Sequence, residues 1–147
     1  MSGFLLDTNV ISELIRPRPE PRVVRWVEAT DEALLYLSVL TLGEIRKGIA
    51  ALENASRRAR LEAWLRTALR PRFSGRILPV DEAVADRWGW ITATAARAGA
   101  PVPVIDGLLA ATALHHNLTL VTRNTDNVTG TGVSLLNPWP AQMQYSA

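Results

Sequence analysis

Asp7, Glu44 and Asp106 are the residues whose type and setting point to chemistry. Asp7 follows the apolar run Phe4-Leu5-Leu6, Glu44 borders the apolar stripe of a predicted helix, and Asp106 stands between Ile105 and a segment that is apolar nearly all round. A carboxylate in such surroundings is costly without a partner. Taken singly, each has a plain explanation: Asp7 and Asp106 suit helix N-caps, and Glu44 suits a solvated helix edge. Taken together they suggest a site. If the three converge, each pair at about 4–5 Å repels by roughly 3–4 kcal/mol at an effective dielectric near 20. A marginally stable domain tolerates that poorly unless a cation sits among them. With oxygen donors only, the cation should be Mg²⁺ or Mn²⁺.

Other chemistries fail by absence. The chain has no Cys, which excludes thiol nucleophiles and thiolate metal sites. His115 and His116 are adjacent, so they point to different sides of a helix and lack chelating spacing; they read as surface or helix-end residues. There is no Gly-x-x-x-x-Gly-Lys phosphate loop, no Gly-x-Ser-x-Gly elbow and no Gly-x-Gly-x-x-Gly fingerprint. Asp7-Thr8-Asn9 also lacks the second Asp that an aspartyl-phosphate phosphatase would carry two residues on.

The elements that must hold these acids follow from hydrophobic periodicity. Phe4–Leu6 and 34–38 read as buried strands, with a turn or two of helix from Val10 to Ile15 and a short helix around Val23–Val27. Leu42, Ile45, Ile49 and Leu52 lie at helical spacing. Leu61, Trp64, Leu65, Ala68 and Leu69 predict a helix from Ser56 to Arg70, ended by Pro71, with Arg66 and Arg70 turned away from the core. Ile77-Leu78 is a brief strand, Asp81 caps a helix closed near Gly99, and 107–114 is a central helix. Strands over 118–121 and 133–136 complete the pattern. Short apolar strands alternating with helices predict an α/β domain, with a mostly parallel sheet flanked by helices on both faces. In such sheets ligands bind beyond the C-terminal strand ends, where Asp7 and the segment Thr122–Asp126 fall.

At 147 residues the chain suits one domain with a real core, and 48% hydrophobic residues argue against disorder. The longest stretch without charge, 127–147, is broken by Gly and Pro and is no membrane helix, so a cytoplasmic protein is expected. Net charge is +2 but uneven: residues 57–76 hold seven Arg and one acid, while the segments on either side are each at −2. That concentration hints at a polyanionic partner. Trp26, Trp64 and Trp88 fall on apolar helix faces and read as core or dimer packing, and Trp139 as a packed C-terminal lid.

Four ordered motifs carry a resemblance: 6–14 around Asp7-Thr8-Asn9, 41–45 around Glu44, 105–113 around Asp106, and Leu120-Val121-Thr122-Arg123-Asn124. Together they resemble the PIN-domain nucleases, and within them the VapC-type toxins of toxin–antitoxin pairs. Arg76–Glu82 and Asn137-Pro138-Trp139 are similar to the FitB branch. The likeness runs from about residue 4 to 139, leaving 140–147 as a C-terminal tail of one domain spanning 1–147. It implies a compact α/β/α sandwich and Mg²⁺-dependent endoribonuclease activity (Mn²⁺ as substitute), giving a 5′-phosphate and a 3′-hydroxyl.

Asp7, Glu44 and Asp106 match the family's most regular acidic positions, as catalytic and metal-binding residues. Many members carry a fourth acid directly after Thr-Arg; here that residue is Asn124, which can still ligate or hold water, and Asp126 is a possible substitute. Thr8 and Thr122 would support the ligands, and Arg66 and Arg70 would meet the RNA backbone outside the metal centre. The resemblance further implies an antitoxin protein, a homodimer and a toxin–antitoxin hetero-oligomer. An antitoxin segment would lie in an apolar groove near Val23–Val27 and Leu42–Leu52. Two rivals stay open: a catalytically silent binding module, which would be expected to lose one of the three acids, and a non-toxin RNA-processing or DNA nuclease.

Overall fold

The structure, a computed structural model, describes residues 2–141, so 142–147 of the expected tail lie outside the described residues. The strands β1 (Phe4–Leu6), β2 (Leu35–Ser38), β3 (Ile77–Leu78), β4 (Thr119–Val121) and β5 (Leu135–Leu136) form one sheet in the order β3-β2-β1-β4-β5. All pairings are parallel, and Leu5 of β1 stands between Tyr36 and Leu120. The helices are α1 (Thr8–Leu14), α2 (Pro21–Ala29), α3 (Val39–Ala50), α4 (Ala55–Trp64), α5 (Arg70–Arg72), α6 (Glu82–Arg97) and α7 (Val104–His115).

Because successive strand residues face opposite sides, β1 divides the core in two. Leu6, Leu35, Leu37 and Val121 pack under α1, α2, α3 and the Leu65–Phe73 region. Leu5 and Leu120 pack with Val84 and Ile91 of α6 and Leu109, Ala110 and Ala113 of α7. The result is the three-layer, parallel-sheet sandwich expected from the sequence. No helix among the described residues is long and apolar enough to cross a membrane.

The chain first steps from β1 outward to β2 and β3, then returns to the other side of β1 for β4 and β5. This reversal opens a crevice beyond the C-terminal ends of β1 and β4, the general ligand position in open α/β sheets. Asp7 follows β1 and Thr122 follows β4, so both project into the crevice region from adjacent strands.

Two expected helix ends differ. Pro71 does not end its helix: the Leu65–Leu69 segment widens into a π turn, with the Arg70 N–H donating to the Leu65 carbonyl, and α5 continues to Arg72. Proline's missing N–H and bulky ring disturb the regular bonding of an α-helix, and a π turn absorbs such an insertion. The continuation delivers Phe73 into the core, fully buried. Asp106 is not an N-cap: α7 starts earlier, with Pro103 as its N-cap, and Asp106 sits within the first turn. Capping therefore does not explain Asp106.

Candidate active site

Asp7, Glu44 and Asp106 reach one open cavity of about 430 Å³ from three parts of the sandwich: a strand end, α3 on one face and α7 on the other. Asp7 is 6% exposed. Its Oδ1 accepts from the Thr8 N–H at 2.7 Å, capping α1, and its Oδ2 accepts from the Thr122 hydroxyl at 2.7 Å. Capping and a place in the cavity therefore coexist in one side chain. Glu44 Oε1 accepts from the Thr8 hydroxyl. Asp106 Oδ2 accepts from Asn127 Nδ2 at 3.1 Å.

Electrostatics follow from this placement. Burial pushes Asp7 from 3.8 up to about 6, against the pull of its bonds from Thr122 and Thr8, and the charges of Asp106 and Glu44 raise it further. Asp106 is also raised, first by burial and then by Glu44, with Asn127 opposing. The three acids thus feel one another, yet they do not close into a single knot. Among the described residues, no three acidic, His or Cys side chains gather tightly enough to hold an ion by themselves. The three acids share one cavity, with Glu44 held by the Thr8 hydroxyl rather than drawn into a tight three-carboxylate group.

The residues present fit a hard divalent cation on their chemistry. Mg²⁺ binds through one or two carboxylates and retains several waters, rather than taking an all-protein cage. The acidic side chains lining the cavity offer only oxygen ligands, and Asn9, which lines it too, carries an Oδ1 that is buried without a hydrogen-bond partner. A buried acceptor with no donor is rare and needs an explanation; an ion or its water supplies one.

The remaining expected residues divide. Asn124 is exposed at the cavity and its N–H donates to the Thr122 hydroxyl at 3.0 Å. Asp126 is exposed in the 3₁₀ segment Thr125–Thr131 and does not line the cavity; it is Asn127, one residue on, that reaches Asp106. Arg66 and Arg70 are exposed on the α4–α5 rod, outside the cavity. His115 ends α7 and His116 is its C-cap. Trp139 is buried, as a packed lid would be, whereas Trp26, Trp64 and Trp88 are only partly buried.

Sequence reasoning missed Asn9, Asn127, Glu13 and Arg123 as neighbours of the site. Asn9 donates to Asp7 Oδ2 at 3.4 Å and to the Thr122 hydroxyl at 3.3 Å. Its signal was its place in the Asp7-Thr8-Asn9 motif; Asn127 carries no comparable signal.

An apolar groove of about 210 Å³ lies beside the cavity and shares Thr8, Ser12 and Glu44 with it. Ile11 of α1 and Ile15 at its C-cap, Ile45 and Ile49 of α3, and Trp64 of α4 line it. The α3 half of the expected groove is therefore present. The α2 half is not: Val23 and Val27 are buried in the core, and α1 takes their place.

A sequence model described as PIN domain matches residues 4–128. The chain is 43% identical over 136 residues to Toxin FitB of Neisseria gonorrhoeae, covering 92% of this chain and 98% of that protein. It is 36% identical over 136 residues to VapC ribonuclease Y4jK of Sinorhizobium fredii, covering 92% and 97%. The crystal structure of FitAcB from Neisseria gonorrhoeae matches with a TM-score of 0.90 at 43% identity, over 92% of this chain and 98% of that one.

Proposed function

The chain belongs to the PIN-domain family, and we propose that it is a Mg²⁺-dependent endoribonuclease, the toxin of a toxin–antitoxin pair, acting in the cytoplasm. The observation that carries this reading is the gathering of Asp7, Glu44 and Asp106 from a strand end and two opposite helix layers into one cavity at the sheet's reversal point. The resemblance to ribonuclease toxins supports the substrate class and the partner.

Asp7 and Asp106 would hold the ion, with Glu44 as a direct or water-mediated ligand. The chemistry supplied by such an ion is polarisation of a phosphate oxygen and a water of lowered pKa for attack on phosphorus. The protein's part is positional. Thr122 fixes Asp7 and Thr8 fixes Glu44 by hydroxyl hydrogen bonds, and Asn127 fixes Asp106, so each carboxylate has a partner that orients it. Asn124, which lines the cavity, would orient a water or a phosphate oxygen. Products would carry a 5′-phosphate and a 3′-hydroxyl. An antitoxin helix would occupy the apolar groove by an i, i+3, i+4 stripe, and the protein would assemble as a homodimer within a toxin–antitoxin complex.

The test is cleavage of RNA by the purified chain with Mg²⁺, Mn²⁺ or EDTA, paired with induction in a host lacking any antitoxin. Asp7→Asn and Asp106→Asn should each lower the rate by more than the 10–100-fold typical of groups that only support a ligand, whereas Thr122→Val should fall within about that range. Wild type should arrest growth and Asp7→Asn should not. Cleavage that persists in EDTA rejects the metal reading. Good tolerance of the wild-type chain at high level, with cleavage intact, would favour a non-toxin RNA-processing role.

A further inference from the structure

Besides its acids, the cavity is lined by two guanidinium side chains, Arg16 and Arg123, which the metal chemistry does not use. Both are tied to one buried scaffold. Glu13 is 4% exposed and accepts from Trp139 Nε1 at 3.2 Å, from the Glu20 N–H at 3.1 Å and from Arg16 Nη1 at 3.4 Å. Trp139 is 3% exposed, and the Arg123 guanidinium lies over its ring, 5.7 Å from the centroid. A continuous chain of neighbours, Arg16–Glu13–Trp139–Arg123, therefore runs along the cavity wall.

A carboxylate buried as deeply as Glu13 is expensive, and here one cation and two neutral donors satisfy it. Its structural effect is to anchor the C-terminal lid and to hold Arg16 at the mouth, where that side chain keeps 59% exposure. Arginine carries five donors in a rigid fork that matches phosphate, and Glu13 engages Arg16 through its Nη1. Charge points the same way. Asp7, Glu13, Glu44 and Asp106 all line the cavity, so a polyanion meets four carboxylates there. A divalent ion together with two arginines balances them, whereas the ion alone leaves the cavity negative.

We propose that Arg16 and Arg123 form a phosphate clamp for the RNA strand flanking the cleaved bond, held in place by the buried Glu13–Trp139 pair. The proposal rests on the ribonuclease reading above. It makes Arg16 and Arg123 substrate-binding residues, indifferent to base identity, and Glu13 a positioning residue.

The test uses the full chain and a labelled single-stranded RNA of mixed sequence, about 15 nucleotides long and so within the site sizes common for single strands, with Mn²⁺ affinity followed by calorimetry. Arg16→Ala and Arg123→Ala should each weaken RNA binding by about tenfold and make the slope of log K against log salt shallower by about one, with Mn²⁺ affinity unchanged. Arg16→Lys and Arg123→Lys should retain the wild-type slope, which separates lost charge from lost folding. Glu13→Gln should raise KM, while kcat stays within about twofold because the reacting groups are untouched.

Active wild type with unchanged slopes in both alanine variants overturns the clamp. So does a parallel loss of Mn²⁺ affinity, which would place the arginines in the metal site. If the variants lose affinity for a partner protein while the RNA slope holds, the arginines belong to that partner and the clamp is again rejected. A wild type that neither binds nor cleaves this RNA rejects the ribonuclease reading and the clamp together.

Discussion

Asp7 performs two tasks whose energetics conflict. As a cap it satisfies the Thr8 N–H and binds the Thr122 hydroxyl, while burial and two neighbouring acids raise it from 3.8 to about 6. A folded-state value above the unfolded one means that ionised Asp7 opposes folding. The penalty is absent below about pH 4, grows through the interval between the two values and is complete above about 6, where it amounts to about 3 kcal/mol. Asp7→Asn keeps the shape without the charge. In EDTA at about pH 8 it should therefore be more stable than wild type by about 1–2 kcal/mol, less than the full penalty because weaker hydrogen bonds replace charge-assisted ones. The gain should vanish near pH 4, as denaturant titrations at both values would reveal. Added Mg²⁺ should stabilise wild type but not the variant, and that effect should fade below about pH 6 as protons compete. A variant uniformly less stable at both pH values would reduce Asp7 to its capping role.

The acidic positions were legible because an acid beside an apolar run is conspicuous on any reading of the chain. Their partners were not. Asn127 reaches Asp106 because a 3₁₀ turn presents it while leaving Asp126 exposed outside the cavity, and one-residue differences in such a turn leave no periodic trace. Likewise Glu13 reads as an ordinary helix acid until the fold brings Trp139, 126 residues away, to donate to it.

At the scale of elements, strands and helices were readable from periodicity, and failures fell where backbone chemistry overrode it. Pro71 predicts a stop, but a π turn carries the rod on to seat Phe73. Val23 and Val27 look available for a groove because amphipathic helices do not announce which neighbours cover them; here both are buried within the core cluster. The α6–α7 packing sets the position of Asp106, and two glycines probe it. A Cβ on Gly107 would stand 3.1 Å from Trp88 Nε1 and 3.3 Å from Thr92 Oγ1, whereas one on Gly89 would meet nothing within 4 Å. Gly89→Ala, in the exposed middle of α6, should stabilise by about 0.5–1 kcal/mol through reduced unfolded-state freedom. Gly107→Val should destabilise by about 1–3 kcal/mol through overpacking and lower Mn²⁺ affinity by displacing Asp106. Thermal melts and Mn²⁺ calorimetry check both. Equal melting temperatures for the two variants would mean that α7 adjusts freely and does not register the metal site.

At the scale of the molecule, the positive surplus is concentrated between residues 57 and 76, and folding divides it. Arg72 and Arg76 grip Glu32, with Arg72 forming two bonds at 2.9 Å; this pairing holds Glu32 below the usual carboxylate range. Arg58 donates to the Leu52 carbonyl at 2.7 Å. Arg57, Arg60, Arg66 and Arg70 remain exposed and form no ion pair among the described residues. A rod bearing four exposed arginines outside the acidic cavity is suited to long-range attraction of a polyanion rather than to alignment of a single phosphate. Paired substitution of Arg66 and Arg70 by alanine should therefore slow association with RNA and flatten its salt dependence by up to about two units of slope, one for each phosphate left unneutralised. It should leave Mn²⁺ affinity and the turnover of bound RNA as in wild type. Stopped-flow binding at several salt concentrations separates this from the cavity arginines, whose removal should act on release of bound RNA. If the double variant binds with wild-type rate and slope, the rod's charge serves solvation alone, and the pull on RNA must come from the cavity.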